Sequence, residues 1–313
     1  MVKDSDDGRE YYIDNPNQLT VLRGLYISLE VLFVATLCFW IFNVVRYIYP
    51  MKERSKLILL YYILSFIVLS CQIPYYITRI IYPWKDPFIF NGEGFNWDDG
   101  LECIASSTLV ALGWLVCATM YQLKTSIRII YKILDANKAP CKLKAMNIYA
   151  ATMTAVQLLG LFLFPIAVPT RNSNLVSWVY IFSYVTLCVS YTVVIVQLQN
   201  VLKSMKQHLK KEYWKIMFQF ILFDFAYFSE IVLQMLFFLG ERYFNWHHYI
   251  YTIFQGTFHV FFCIIPISYM LYSHHSTFSK QLRANEEEIE TNQPNETNSA
   301  AEYDDSGAIK TNA

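Results

Sequence analysis

Seven long apolar runs constrain the fold of this chain more than any other feature of its sequence. A helix of about 20 mostly apolar residues crosses the roughly 30 Å hydrocarbon core of a bilayer. A helix also satisfies its own backbone hydrogen bonds, as lipid requires. The runs predict membrane spans at residues 21–45, 57–78, 101–123, 145–168, 175–199, 214–240 and 247–272.

The composition is that of a chain solvated by lipid. Hydrophobic residues make up 55% of the 313 residues and charged residues 16%, whereas an average soluble domain carries about 25% charge. The net charge of zero gives no indication of nucleic-acid binding. We therefore expect an all-α, polytopic membrane protein, a seven-transmembrane-helix bundle whose main partner is the lipid bilayer of the plasma membrane or an endomembrane.

Lys and Arg residues predict the orientation. The loops after the first, third and fifth spans, together with the chain just after the seventh, carry 17 of them, against seven on the opposite side. Basic loops remain in the cytoplasm, so the N-terminus is expected outside or in a lumen and the C-terminus in the cytoplasm. The expected regions are an outer segment 1–20, the membrane domain 21–273, a short amphipathic surface helix 274–283 and an acidic cytoplasmic tail 284–313. We expect this tail to be disordered because it offers little apolar surface to bury.

Polar side chains inside the spans are the candidate functional residues, because burying an ionisable group in a bilayer is costly. An outer set is expected to line a cavity for a polar or cationic ligand, either a small molecule or a peptide: Glu30, Gln72, Glu230, Gln234 and Gln255. A deeper set is expected to form a buried polar switch around a carboxylate–imidazole pair: Asp224, His259, Pro266 and Tyr269. The alternative is that each group only bonds a neighbouring helix, which contributes about 0.6 kcal/mol.

Two further features concern helix shape. The third helix is expected to continue beyond its span, to about Leu134. Pro74, Pro165 and Pro266 fall within the second, fourth and seventh spans. Proline removes a backbone donor and disturbs the preceding turn, so these positions predict either hinges or fixed packing shapes.

The layout and two short motifs resemble the G-protein-coupled receptor superfamily. Pro266-Ile-Ser-Tyr269 is similar to the Pro-x-x-Tyr end of the rhodopsin-type motif, and Phe278-Ser-Lys-Gln-Leu282-Arg resembles the surface helix that follows helix seven. However, Ile265 replaces the motif's Asn, and Met120-Tyr-Gln-Leu-Lys124 lacks the acidic-Arg-aromatic triplet. The resemblance implies a divergent receptor that passes an outer signal to a cytoplasmic partner such as a heterotrimeric G protein. The layout is also similar to the plant tobamovirus multiplication protein family.

Other classes of membrane protein remain as alternatives. A scaffold or trafficking protein needs no ligand, and an ion- or proton-coupled transporter would use the buried acids and His259 as a relay. A retinal protein is excluded, because no lysine occurs between Lys215 and Lys280 to form a Schiff base in helix seven. A zinc hydrolase needs about three converging ligands, whereas the six histidines are spread over three depths. We expect no enzyme activity, catalytic centre, metal or cofactor.

Overall fold

The computed structural model describes residues 16–50, 56–83, 97–131, 139–167, 173–202 and 248–292, with helical positions scattered between 214 and 235. Nearly all of these residues are helical, so the all-α expectation is confirmed. We call the scattered positions α6. The other helices are α1 Pro16–Asn43, α2 Lys56–Ile81, α3 Trp97–Tyr131, α4 Ala139–Ala167, α5 Ser173–Leu202, α7 His248–His259 and α8 Ile265–Asn292.

Four helices of the described part are long and apolar enough to cross a membrane. They are Pro16–Ile48, Lys56–Ile81, Gly100–Lys124 and Ile181–Asn200, which match the first, second, third and fifth predicted spans. The other three spans stay predictions. The expected continuation of the third helix is confirmed as far as Tyr131.

Helix α3 lies at the centre of the described helices, since it packs against α2, α4 and α5. Of the most apolar stretch of α3, 83% is buried, whereas only 22% of the corresponding stretch of α1 is buried. Helix α1 packs on α2 and α7 and exposes large apolar side chains such as Val31 and Val45. Polar groups on α3 are therefore enclosed by other helices, whereas much of α1 is suited to face lipid.

Two π-helical turns, Val44–Ile48 and Val260–Ile264, each end two residues before a proline, Pro50 and Pro266. The amide of Tyr49, between the first turn and its proline, donates to the carbonyl five residues earlier at 2.8 Å. A proline ring clashes with the carbonyl four residues before it. The wider π turn moves that carbonyl aside, so the disturbance predicted at Pro266 takes the form of a π turn.

The C-terminal boundaries differ from those predicted. Helix α8 runs without interruption to Asn292, so residues 274–283 belong to a longer helix instead of forming a separate one. The helix also enters the segment expected to be disordered, because residues 284–292 are rich in Glu, which has a high helix propensity. The chain divides into two units, Met1–Leu271 and Tyr272–Ala313, and residues 293–313 lie outside the described part.

Candidate functional site

Helix α2 carries a polar stripe on its buried face. Gln72, Tyr76 and Arg79 are four and three residues apart, a spacing that places side chains on one side of a helix. All three are buried, with exposed fractions of 4%, 1% and 0%. The helix continues through Pro74, whose carbonyl accepts a hydrogen bond from the Thr78 hydroxyl at 3.0 Å. The stripe therefore lies on continuous helix within a candidate membrane span.

Glu102 of α3 lies opposite this stripe. It follows the first turn of a helix that begins at Trp97, and its side chain is only 3% exposed. Gln72 Nε2 donates to Glu102 Oε2 at 2.8 Å, and Ser106 Oγ lies 3.4 Å from the other carboxylate oxygen. The carboxylate is thus held by α2 and by its own helix.

His259, the last residue of α7, completes the cluster from a third helix. Its Nε2 lies 3.2 Å from Glu102 Oε1, and its Nδ1 is hydrogen-bonded to the Tyr76 hydroxyl. The imidazole is 4% exposed. Both ring nitrogens therefore have partners, and the chain Tyr76–His259–Glu102–Gln72 connects α2, α7 and α3.

Arg79 supplies a permanent positive charge beside this chain. Its guanidinium lies over the Tyr75 ring, with Cζ 5.0 Å from the ring centroid, and it is within electrostatic range of the Glu102 carboxylate. A buried ion costs several kcal/mol unless it is paired and hydrogen-bonded. The Glu102 carboxylate and the Arg79 guanidinium therefore compensate each other's charge, and the His259 imidazole adds a titratable base. We call Gln72, Tyr76, Arg79, Glu102 and His259 the polar cluster.

Helix α1 covers the cluster with apolar and aromatic side chains. The Tyr76 ring stacks on Phe33 with centroids 5.3 Å apart and lies 6.0 Å from the Tyr26 ring. Gly256 on α7 permits close approach of α1, because a Cβ atom there would lie 3.1 Å from Leu29 Cδ1. These contacts bury the Tyr76 ring, and burial strengthens electrostatic interactions within the cluster.

What the cluster can do depends on its own chemistry. No protein-family model matches the chain, and no curated protein matches it significantly. A carboxylate paired with an imidazole and flanked by a guanidinium can bind a proton or fix three helices in register. Ionisable groups buried within membranes commonly belong to ligand counter-ions, proton relays or ion pathways.

The outer set is placed only in part. Gln72 belongs to the polar cluster. Glu30 is half-buried on α1, and its Oε2 is buried without a hydrogen-bond partner among the described residues. Glu230, Gln234 and the side chain of Gln255 lie outside the described part, so the outer cavity stays a prediction.

The deeper set forms a different pair from the one expected. Asp224 accepts a hydrogen bond from Thr192 Oγ1 of α5 at 3.3 Å, while His259 is paired with Glu102. The rotation of a helix about its axis depends on its neighbours, and a single sequence does not specify it. Pro266 is buried at the start of α8, and Tyr269 packs edge-on against Phe218 of α6, with centroids 5.6 Å apart.

Sequence reasoning missed Glu102, Tyr76 and Arg79. Glu102 is the second residue of the third predicted span and closely follows two aspartates, and Arg79 lies one residue beyond the end of the second predicted span. Arg79 is instead fully buried within α2, because Glu102 and the Tyr75 ring compensate its charge. Two spacings in the sequence indicate these residues. One is the spacing of four and three residues along the stripe on α2, and the other is the four-residue step from Glu102 to Ser106.

A second polar layer joins α3 to α5 and α6. The Tyr191 hydroxyl donates to the Gly113 carbonyl at 3.0 Å, and the Tyr227 hydroxyl donates to the Leu109 carbonyl at 2.7 Å. The two tyrosine rings stack with centroids 5.7 Å apart. These carbonyls already accept bonds within α3, so each tyrosine satisfies its own hydroxyl there and fixes the packing of neighbouring helices.

Proposed function

We propose that this protein is a seven-helix membrane receptor with its N-terminus outside or in a lumen and its C-terminus in the cytoplasm. It passes an outer signal to a cytoplasmic partner, for which a heterotrimeric G protein is the first candidate. The four apolar helices and the basic inner loops support a membrane location, either the plasma membrane or an endomembrane.

The polar cluster is the observation on which the receptor proposal rests. Signal transmission needs an interior element with two arrangements that a ligand can bias. Glu102, His259 and the stripe on α2 join three helices through charged and hydrogen-bonded groups. A change of charge or geometry at one of these groups alters the packing of all three helices.

The ligand is proposed to bind toward the outer ends of the helices. Glu30 contributes a carboxylate there, with one oxygen that lacks a hydrogen-bond partner among the described residues. Glu230, Gln234 and Gln255 would complete the site, as their positions in the sequence predict. A carboxylate-lined site in a low-dielectric environment favours a cationic or polar ligand, either a small molecule or a peptide.

Nucleotide exchange in membranes tests the receptor proposal without a known ligand. Membranes from cells that express the chain should bind more labelled, non-hydrolysable GTP analogue than membranes from control cells. Glu102→Gln should change this basal signal at equal expression, because it removes a charge from the cluster. Equal binding in all three membranes would count against G-protein coupling and favour a scaffold or trafficking role.

A proton-coupled transporter is a second candidate, favoured by the buried carboxylate–imidazole pair. Such pairs carry protons in pumps and transporters. Purified protein in liposomes that contain a pH-sensitive dye should then dissipate an imposed pH gradient faster than empty liposomes. His259→Gln should remove this flux, whereas a receptor without transport activity should leave the gradient unchanged.

A further inference from the structure

We propose that His259 is a proton-binding site and that its protonation state sets the packing of α7 against α2 and α3. The inference deepens the proposed receptor function, because it names the proton as a ligand of the polar cluster. It can be tested on purified protein without any partner. Its failure is therefore distinguishable from failure of receptor activity.

The hydrogen bonds of His259 suit both protonation states. In the neutral ring, Nε2–H donates toward Glu102 Oε1 at 3.2 Å, and Nδ1 accepts from the Tyr76 hydroxyl. In the protonated ring, Nδ1–H donates to the same hydroxyl, since a phenol oxygen can either donate or accept. Proton uptake therefore needs a rotation of the Tyr76 hydroxyl but breaks neither hydrogen bond. A histidine that only fills a core needs neither a buried carboxylate beside one ring nitrogen nor a hydroxyl beside the other that can both donate and accept a hydrogen bond.

The surrounding charges make the two states differ in packing. Glu102 attracts a protonated imidazole, while Arg79 of α2 lies near the same carboxylate and opposes it. Among the described residues, the other titratable groups near the cluster are Tyr26 of α1, Cys71 and Tyr75 of α2 and Cys263 after α7. Glu30 lies one turn from Tyr26. The neutral imidazole leaves Glu102 and Arg79 balanced. Protonation adds one uncompensated positive charge, which repels Arg79 and changes how α7 packs against α2 around the retained Tyr76–His259 hydrogen bond.

The chain around His259 can accommodate this change of packing. The π turn Val260–Ile264 begins at the next residue and is followed closely by Pro266. π turns interrupt the regular helical ladder and are frequent at functional sites. A movement of the imidazole can therefore be absorbed by a change of hydrogen-bond register in this turn, and the helix beyond it changes direction.

Nuclear magnetic resonance of the histidine rings tests proton binding directly. The full chain, labelled with ¹⁵N in histidine and placed in lipid nanodiscs, is followed between pH 5 and pH 8. The His259 resonances are identified by their loss in His259→Gln, and His275→Gln serves as a control that leaves them in place. We expect the ring nitrogens to change from neutral to protonated shifts within this range. Unchanged His259 shifts throughout the range would overturn the proposal.

Two variants test the partners of the imidazole. Glu102→Gln replaces the carboxylate with a neutral amide, so the protonated fraction of His259 at a given pH should fall several-fold. If Glu102→Gln fails to fold, Tyr76→Phe still tests the hydroxyl, and its neutral ring should lose the hydrogen-bonded shift at Nδ1. Two results would contradict the mechanism, because they would show that the ring does not respond to these groups. One is an equal protonated fraction of His259 in Glu102→Gln and in the wild type. The other is a neutral Nδ1 shift that Tyr76→Phe leaves unchanged.

A distance measurement on spin-labelled protein tests the predicted movement of α7 relative to α2. A spin label on α7 at Ile250, an exposed position, and a second label on α2 at Ile63, also exposed, report the distance between the two helices by electron paramagnetic resonance. The distance should change between pH 8 and pH 5 in the wild type and stay constant in His259→Gln. A distance independent of pH in the wild type would contradict coupling of the proton to helix packing.

Discussion

At the scale of single residues, Glu102 has more influence on the bundle than its position near the start of α3 suggests. It accepts a hydrogen bond from Gln72, faces His259 and lies within electrostatic range of Arg79. Each of these groups is buried and would lose its acceptor or counter-charge if the carboxylate were removed. The cost of the substitution therefore includes the groups left behind.

Glu102→Ala should lower the free energy of unfolding by about 3–5 kcal/mol, the usual cost of breaking a buried charged pair. Chemical unfolding in mixed micelles measures this change. Glu30→Ala is the matched control, since it removes a half-buried acid on α1 with a carboxylate oxygen, Oε2, that has no hydrogen-bond partner among the described residues. We expect a smaller loss for the control. Equal losses for the two variants would show that Glu102 has no special role in stability.

Gly113 shows how closely α3 and α6 approach. A Cβ atom there would lie 2.6 Å from the Tyr227 hydroxyl and from Leu187 Cδ2. That hydroxyl is held by the Leu109 carbonyl, so it has little freedom to move. Gly113→Ala should therefore destabilise the protein by about 1–3 kcal/mol, as overpacking does in well-packed cores.

Gly24→Ala is the control for Gly113→Ala. A Cβ atom at Gly24 would have no neighbour within 4 Å, and alanine favours helix over glycine by about 0.5–1 kcal/mol. Thermal unfolding of both variants in the same detergent compares them directly. We expect a lower midpoint for Gly113→Ala and an unchanged or higher midpoint for Gly24→Ala. The reverse order would contradict the close packing of α3 and α6.

At the scale of helices, the π turns depend on the prolines that follow them. Pro266→Ala restores a backbone amide that can donate to the carbonyl four residues earlier, so the turn Val260–Ile264 should become α-helical. Amide hydrogen exchange of residues 260–266 should then slow several-fold. Pro50→Ala should have the same effect on Val44–Ile48 and none on the turn beside His259. Unchanged exchange in Pro266→Ala would mean that neighbouring helices, and not the proline, impose the π turn.

The helices were predictable from the sequence to different degrees. The described spans within α1, α2, α3 and α5 follow from the length of their apolar runs, because lipid imposes one length and one secondary structure. Helix ends were less certain. The second span was predicted to end at residue 78, whereas α2 continues to Ile81 and includes the buried Arg79.

The candidate site was predictable only in its residue types. Gln72 and His259 were recognised as polar groups inside spans, but their common partner Glu102 was not. Which groups meet depends on the rotation and depth of each helix, and these are fixed by packing such as the contact of Gly256 with Leu29. A single sequence contains the polar spacing on each helix and no direct information on how the helices face one another.

At the scale of the whole molecule, the proposed receptor role requires a bundle that crosses the membrane an odd number of times. Four helices of the described part are long and apolar enough to cross a membrane. The basic inner loops predict the orientation, and the seven apolar runs predict that the two ends of the chain lie on opposite sides. This orientation decides whether a signal on the outer side of the membrane can reach the polar cluster.

Protease protection of terminal tags tests this claim most directly. The chain carries one epitope tag before Met1 and another after Ala313, and sealed vesicles are prepared with their cytoplasmic face outward. We predict that protease removes the C-terminal tag and spares the N-terminal tag until detergent opens the vesicles. Removal of both tags, or protection of both, would place the two ends on the same side and contradict the seven-span account.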